Sequence, residues 1–201
     1  MRNQPVVFAF DLDGTVTRRE LLPLFAEAAG IGEEMSRLTA RTLSGAIPFA
    51  RSFRRRFSML RHMPLQTMRA VAAATPLDPH ICAFIRDNAA RCAIVTGNLD
   101  LWITPIADAL QCRFFSSLGE ERDGALHLVS VLDKARAVRD LRRQCRRVVA
   151  IGESVGDMPM FRAADIGIAY AGVHEPVPGI LRLAHHVAAD SEELCAILRR
   201  L

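Results

Sequence analysis

The stretch VVFAFDLDGT, residues 6–15, joins a continuous apolar run to two acidic residues and a glycine. A short run such as Val6–Phe10 predicts a strand that is buried on both faces, as strands of parallel sheets are. Asp11 and Asp13 follow at the carboxyl end of this strand, where open α/β sheets place their functional groups. Residues two apart on an extended backbone point to the same side, so we expect both carboxylates to face one crevice. Asp13 next to Gly14 is also typical of an ordinary turn before a helix.

Similar short apolar runs recur along the chain, and segments with the spacing of one-sided helices lie between them. This alternation predicts an α/β fold with a doubly wound, mainly parallel sheet. A turn at Glu120–Gly124 is predicted to join two short strands, Phe114–Ser116 and Leu126–Val129. The other predicted strands are Cys92–Val95, Val148–Ile151, Ile166–Ala169 and His186–Ala189.

One segment interrupts the alternation. Between Thr17 and Ala74 there is no strand pattern, only helix-period stripes separated by glycine and proline. We therefore predict a small bundle of three or four helices inserted after the first strand. The predicted division is a core domain of residues 1–16 and 75–201 and a helical cap of residues 17–74.

Composition narrows the class of protein. The chain has 201 residues, half of them apolar, which suits one globular domain with a modest insertion and excludes disorder. It has no apolar run long enough to span a membrane, and acidic residues come too early in it for a signal peptide. Its five cysteines are dispersed, which favours buried thiols in a reducing compartment over disulfides or a zinc site. We expect a soluble cytoplasmic protein.

Polar groups also follow two later strands of the predicted sheet. Thr96-Gly97-Asn98 comes after the second strand and could bind an anion through backbone N–H groups. Gly152–Asp157 follows the strand at Val148–Ile151 and supplies two more carboxylates. Lys134, the only lysine among 26 lysines and arginines, is expected near the start of a helix. Each feature alone is compatible with an ordinary turn or a solvated residue, but their shared position at one sheet edge favours a common site.

In this order the motifs resemble those of the haloacid dehalogenase superfamily of phosphohydrolases. Asp11–Thr15 matches its first motif, D-x-D-G-T; Thr96 matches the second, Lys134 the third, and Gly152–Asp157 the fourth with one change. The resemblance covers the whole chain and implies a Rossmann-like core.

Within the superfamily, the inserted helices resemble the cap of phosphoserine phosphatases. In those proteins, Phe-Asp-Leu-Asp-Gly-Thr, a Glu at the start of the cap, and a helix with Phe-x-x-Ser-hydrophobic-Arg-x-Arg recur. Here the corresponding residues are Phe10–Thr15, Glu20 and Phe49–Arg56. The resemblance implies that Arg56 would bind a substrate carboxylate and that Glu20 would bind an amine. Each also has a plainer reading, as a solvated arginine and as a first-turn acid at a helix.

The resemblance implies roles for the motif residues. Asp11 would be the nucleophile that forms an aspartyl-phosphate, and Asp13 the general acid and base. Thr96 and Gly97, with neighbouring Asn98, would bind phosphoryl oxygens, and Lys134 would neutralise developing charge.

A magnesium ion is the implied cofactor. It would lie between Asp11, the backbone carbonyl of Asp13 and the acid of the fourth motif, which is Glu153 here. Asp157 would be a further acid of this metal site, and it would orient a metal-bound water or Lys134.

Three departures from the phosphoserine phosphatase pattern concern the substrate. Position 153 is Glu rather than Asp, Gly156 replaces a common Asn, and Thr-Gly-Asn at 96–98 replaces Ser-Gly-Gly. We expect hydrolysis of phosphoserine or a close relative such as phosphohomoserine. Hydrolysis of another small phosphomonoester, or phosphoryl transfer to an acceptor other than water, stays open.

A function of another class is nucleic-acid binding through the arginines of segments 51–61 and 142–147. The net charge is only +4, the chain has one Trp and one Tyr, and the proposed edge is acidic. We therefore expect a small phosphorylated molecule as the partner, and neither nucleic acid nor membrane. No oligomeric state is predicted.

Overall fold

Seven strands form one sheet in the part of the chain that the computed structural model describes, residues 5–43 and 46–201. The strands are β1 (Val6–Phe10), β2 (Cys92–Leu99), β3 (Arg113–Arg122), β4 (Ala125–Ser130), β5 (Arg147–Gly152), β6 (Ile166–Tyr170) and β7 (His186–Ala188). Their order in the sheet is β4-β3-β2-β1-β5-β6-β7, and each neighbouring pair is parallel except β3 and β4. This confirms the predicted fold class.

Helices cover both faces of the sheet because successive side chains of each central strand point to opposite sides. In β1, Phe8 and Phe10 face one apolar cluster, whereas Val7 and Ala9 face the other. The helices are α1 (Leu21–Ala28), α2 (Gly32–Leu43), α3 (Phe49–Leu60), α4 (Leu65–Ala74), α5 (Pro79–Asp87), α6 (Asp100–Leu110), α7 (Lys134–Arg142), α8 (Met158–Ala163), α9 (Pro178–Leu181) and α10 (Ser191–Leu198). The first cluster includes residues of α1 to α6 and α10, and the second includes residues of α7 to α9.

Helices α1 to α4 lie between β1 and α5 and form the inserted segment. The two segments that connect the insert to the core lie side by side and are hydrogen-bonded. Arg18 N donates to Pro76 O over 2.8 Å, and Thr17 pairs with Leu77. Rings from α1 and α3 pack on Trp102 of α6, which seats the insertion on the core. The division into residues 1–16 with 75–201 and residues 17–74 stays a prediction, and residues 1–4 and 44–45 lie outside the described residues.

The predicted turn at Glu120–Gly124 was wrong in its extent. Strand β3 continues to Arg122 and β4 begins at Ala125, so that only Asp123 and Gly124 form the turn, with φ of 50° and 70°. Both values are positive, as a two-residue hairpin turn requires, and Asp-Gly is a favoured pair there. The polar residues before the turn are therefore in a strand, because the hairpin needs only two residues to reverse direction.

Two expectations from composition can be compared with the structure. All five cysteines are free thiols, with four buried and Cys112 half-buried. No helix in the described ranges combines the length and the apolar character that crossing a membrane requires.

Candidate active site

The groups singled out in the sequence meet in one cavity at the carboxyl edge of the sheet. Asp11 follows β1, Thr96 lies in the last part of β2, Glu153 follows β5, and Lys134 is the first residue of α7. The cavity has a volume of about 340 Å³, and the cap contributes the opposite wall. Adjacent parallel strands end at the same edge, which explains why residues more than 100 positions apart in the chain converge there.

Lys134 joins two carboxylates at the base of the cavity. Its Nζ lies 2.5 Å from Asp11 Oδ1 and 2.7 Å from Asp157 Oδ1, and all three side chains are buried. Burial alone would lower the pKa of Lys134, but attraction to Asp11 and Asp157 outweighs it and raises the pKa above its usual value. The ammonium therefore stays charged and holds Asp11 in one orientation. Asp133 caps α7 and so fixes where this helix begins, which places Lys134 as its first residue.

Asp157 is fully engaged by the protein. Its Oδ2 accepts hydrogen bonds from Glu153 N at 3.2 Å and from Ser154 N and Oγ, both at 2.9 Å. A Cβ on Gly152 would lie 2.7 Å from this carboxylate, so glycine is required for the close approach. With Oδ1 on Lys134, the Asp157 carboxylate has partners on both oxygens, and it orients the lysine and the loop after β5.

Glu153 lies beside Asp11, and its longer side chain is accommodated by Gly14. Thr15 Oγ1 donates a hydrogen bond to Glu153 Oε2 at 3.0 Å. A Cβ on Gly14 would lie 2.7 Å from Glu153 Oε1, and Gly14 has φ of +74°. The glutamate thus lies against bare backbone, and any side chain at position 14 would displace its carboxylate.

These residues fit a divalent cation. One oxygen from each of Asp11, Glu153 and Asp157 lies within 4.8 Å of the others. Desolvation, followed by repulsion from Asp157, raises the pKa of both Asp11 and Glu153. One lysine faces this buried excess of negative charge, and oxygen ligands suit a hard cation such as Mg²⁺. The Asp13 carboxylate is not in this group.

Asp13 is held on both of its oxygens. Oδ1 accepts a hydrogen bond from Leu21 N at 3.1 Å, and Oδ2 accepts one from Asn98 Nδ2 at 2.8 Å. Desolvation raises the pKa of Asp13 to about 6, although the hydrogen bond from Asn98 opposes the shift. A carboxyl group with a pKa near neutrality can both give and take a proton.

The segment 96–98 lies within β2, so the prediction that the strand ends at Val95 and that this segment follows it was wrong. Strand β2 runs on to Leu99, with an irregular register against β3 after Val95. The pairing with β3 resumes where Leu99 lies opposite Ser117, and Ser117 Oγ donates a hydrogen bond to Gly97 O at 2.7 Å. Thr96 and Asn98, two residues apart, lie together, and Asn98 N and Nδ2 donate hydrogen bonds to Thr96 Oγ1 at 3.2 and 3.0 Å.

The cap contributes a buried arginine to the cavity. Arg56 on α3 is 7% exposed, and its Nε has no hydrogen-bond partner. Burial lowers the pKa of Arg56, opposed by attraction to Glu20 and then Asp13. Arg51, Arg54 and Arg55 on the same helix are exposed instead. Among the arginines of this helix, burial therefore distinguishes Arg56 as the one that faces the site.

Phe49 closes the cavity over the sheet edge. A Cβ on Gly97 would lie 2.7 Å from the Phe49 ring, and one on Gly156 would lie 3.6 Å from it. The ring lies beside Gly156, so a larger residue at position 156 would contact it. The Arg56 guanidinium lies 6.0 Å from the centre of the same ring.

Glu20 stands at the mouth of the cavity. Its Oε1 lies 3.5 Å from His174 Nε2, a pair between the start of the cap and the loop after β6.

The structure brings every predicted site residue to the lining of this cavity except Asp157, which lies behind it. The roles assigned to them stay predictions. Three contributors had no assigned role: Trp102, which binds Asn98; Thr15, which binds Glu153; and Phe49 as a wall of the cavity. Phe49 was part of the helix motif, but only the folded chain shows which glycines it covers.

Comparison with known proteins identifies the family. The family model described as haloacid dehalogenase-like hydrolase matches residues 8–162. The chain belongs to this family. The matched span runs from β1 into α8 and so includes all four motifs as well as the inserted helices.

Curated relatives of this hydrolase are named phosphoserine phosphatases. The chain is 28% identical to the enzyme from Halobacterium salinarum, over 94% of this chain and 95% of that protein. It is 30% identical to SerB2 of Mycobacterium tuberculosis, over 82% of this chain and 44% of that protein. The chain thus spans only about half the length of several such relatives.

Solved structures share the fold. A HAD family hydrolase from Salmonella enterica subsp. enterica serovar Typhi superposes with a TM-score of 0.80 at 25% identity, over 93% of this chain and 68% of that one.

Proposed function

We propose that this hydrolase is a magnesium-dependent phosphomonoester hydrolase that acts through an aspartyl-phosphate on Asp11, with phosphoserine or a similar small phosphorylated amino acid as substrate. The observation that carries the proposal is the position of Asp11. It is buried, held by Lys134 at 2.5 Å, and shares one cavity with Asp13, Thr96 and Arg56. The names of the curated relatives support the same substrate.

The reaction would proceed in two displacements. A carboxylate oxygen of Asp11 attacks phosphorus, the bond from phosphorus to the ester oxygen breaks, and Asp13 gives its proton to the departing oxygen. Water then attacks the phosphorus and loses a proton to Asp13, and the bond to Asp11 breaks, which restores both carboxyl groups. Lys134 and the Thr96 hydroxyl would stabilise the phosphoryl oxygens.

The cation would be held by Asp11 and Glu153, together with the backbone carbonyl of Asp13, while Asp157 fixes Lys134 and the loop from behind. When bound, Mg²⁺ offsets the repulsion between the carboxylates and an anionic phosphoryl group. Glu153 takes the ligand position with the help of Thr15, which holds one of its oxygens.

The substrate's organic part would lie against the cap. The unpartnered Nε of Arg56 is a donor that a substrate carboxylate would satisfy, and buried polar groups without partners are costly. Glu20 would take the ammonium group. A cavity of about 340 Å³ is at the small end of ligand pockets, which favours a compact phosphomonoester.

The two predicted domains would have separate roles. The core of residues 1–16 and 75–201 would carry the chemistry, and the cap of residues 17–74 would select the substrate.

The thiols bear on the compartment. Free, mostly buried thiols favour a reducing compartment, so the protein would act in the cytoplasm on a small molecule.

A phosphate-release screen tests the proposal. Phosphorylated amino acids, sugars and nucleotides are assayed with Mg²⁺ and with chelator, using the native chain and Asp11→Asn. We expect phosphoserine to be turned over only with Mg²⁺ and only by the native chain. Activity retained by Asp11→Asn would overturn the mechanism, and turnover of other monoesters without phosphoserine would overturn the substrate.

A further inference from the structure

Asn98 binds two groups of the proposed reaction and one tryptophan. Its Nδ2 donates hydrogen bonds to Asp13 Oδ2 at 2.8 Å and to Thr96 Oγ1 at 3.0 Å. Its Oδ1 accepts a hydrogen bond from Trp102 Nε1 at 3.1 Å. Asn98 is 3% exposed, so these contacts are made away from solvent.

Trp102 fixes which way the Asn98 amide points. An indole N–H can only donate, so the atom that faces Trp102 must be the amide oxygen. The amide nitrogen then faces Asp13 and Thr96, with one N–H for each. Trp102 is itself fully buried, and its ring packs on Phe25 and Phe57 of the cap at centroid distances of 5.4 and 6.3 Å.

The hydrogen bonds divide the oxygens of Asp13 between two parts of the chain. Leu21 N, at the start of the cap, holds Oδ1, and Asn98, at the end of β2, holds Oδ2. A side chain bound at both oxygens keeps one rotamer. The carboxyl group is thereby kept at a fixed distance and angle from the neighbouring Asp11.

Thr96 is oriented by the same amide. Its hydroxyl oxygen accepts from both Asn98 N and Nδ2, which occupies its two lone pairs. Its own O–H must therefore point elsewhere, and it is free to donate to a phosphoryl oxygen in the cavity.

We propose that Asn98, held in place by Trp102, is a positioning residue that aligns the Asp13 carboxyl group with the departing oxygen of the substrate. The inference rests on the proposed function, because it assigns Asp13 as the proton donor. In the first displacement the phosphorus–oxygen bond breaks while the proton moves from Asp13 to that oxygen. A misaligned donor slows this displacement when the departing oxygen needs a proton, and it affects an ester whose leaving group departs without one much less.

The test compares two leaving groups in one assay. Nitrophenolate departs without a proton, so p-nitrophenyl phosphate needs little help from Asp13, whereas the serine alkoxide of phosphoserine must be protonated. The quantity compared is kcat/KM, because it covers the steps up to departure of the alcohol and excludes later hydrolysis. The variants are Asn98→Leu, which keeps four side-chain heavy atoms branched at Cγ, and Trp102→Phe, which keeps a ring but removes the N–H.

Two further variants serve as references. Asp13→Asn gives the full effect of losing the proton donor. Asn88→Leu removes a half-buried amide that binds Phe84 O and Arg91 away from the cavity, and it reports the general cost of losing such an amide.

For Asn98→Leu we expect kcat/KM to fall about tenfold or more further with phosphoserine than with p-nitrophenyl phosphate. Trp102→Phe should show the same preference to a smaller degree, and Asn88→Leu none. Thermal unfolding of each variant establishes that it is folded, and Trp102→Phe carries the test if Asn98→Leu is not.

Equal losses on both substrates would overturn the positioning role, as would unchanged kinetics. If Asp13→Asn shows no preference between leaving groups, Asp13 is not the proton donor, and both the inference and that part of the mechanism fail. If the native chain hydrolyses neither ester, the proposed function itself is wrong. Native activity with no leaving-group effect in the Asn98 and Trp102 variants rejects the inference alone.

Discussion

The carboxylate of Glu153 lies directly against the backbone of Gly14, where a Cβ would come within 2.7 Å of Oε1. The two residues belong to different motifs, one after β1 and one after β5. Their contact explains how the glutamate fits at this position, because Gly14 of the first motif has no side chain in its way. The positive φ of Gly14 makes this position doubly restrictive.

The first prediction concerns this contact. Gly14→Ala should weaken Mg²⁺ binding and destabilise the fold, because the methyl group displaces Glu153 and the left-handed backbone costs about 1–2 kcal/mol for a non-glycine residue. The Mg²⁺ concentration that gives half-maximal phosphate release and the free energy of unfolding in urea measure the two effects.

The control is the same change made in the Glu153→Asp background. A shorter carboxylate removes the steric conflict but leaves the backbone strain, so Gly14→Ala should cost less there, with a coupling of about 0.5–3 kcal/mol. Additive effects of the two substitutions would show that the contact carries no energy.

The second prediction concerns the only lysine. Lys134→Arg should lower kcat/KM by about 100-fold while leaving the fold intact, because the wider guanidinium cannot bind both Asp11 and Asp157 in the same buried space. Steady-state kinetics and circular dichroism measure the two effects. The matched control is Arg136→Lys on the exposed face of the same helix, which should change neither. A rate near that of the native chain for Lys134→Arg would mean that the single lysine reflects composition alone.

The third prediction concerns recognition of the substrate carboxylate. Arg56→Ala should reduce kcat/KM for phosphoserine by about 30-fold or more, since truncating one partner of a buried charged pair costs about 2–5 kcal/mol. Phosphoethanolamine lacks the carboxylate, so its turnover should change far less. Arg54→Ala, two residues away and exposed, is the control. Equal losses on the two substrates would remove Arg56 from carboxylate binding.

The fourth prediction concerns the thiols. Burial raises the pKa of Cys92 to about 12 and that of Cys112 to about 11. At pH 8 the thiolate fraction of each is then about one in a thousand or less, so alkylation should be slow and should not reduce activity. Counting thiols with a chromogenic disulfide should give five reactive groups in denaturant and almost no fast ones in the native protein. Rapid inactivation by iodoacetamide would contradict this.

The sequence predicted the sheet because apolar runs between one-sided helices leave few alternatives. It also placed Asp11, Thr96, Lys134 and Glu153 at one edge, since parallel strands share that edge. The contact of Asn98 with Asp13 joins residues 85 positions apart and depends on a single side-chain rotamer. No periodicity in the sequence encodes such a contact. The hydrogen bond from Trp102 to Asn98 likewise depends on how α6 packs after β2.

The hairpin shows a different limit. Polar residues before Asp123 were assigned to a turn because of their composition, yet they pair with β4. The register of β3 with β2 ends at Ser117, whereas Glu121 and Arg122 pair with β4 and are exposed to water. At such a two-stranded end of a sheet, polarity does not separate strand from turn.

The hydrogen bonds between Arg18 and Pro76 and the pairing of Thr17 with Leu77 bring the two ends of the inserted segment side by side. Because these two ends are adjacent, a short connection could join them in place of the 58 or so residues that lie between them. Under the proposed function, the core can therefore be kept while the segment proposed to select the substrate is exchanged for one of another length. Substrate preference and chemical mechanism would then be separable properties, which could diversify independently of each other.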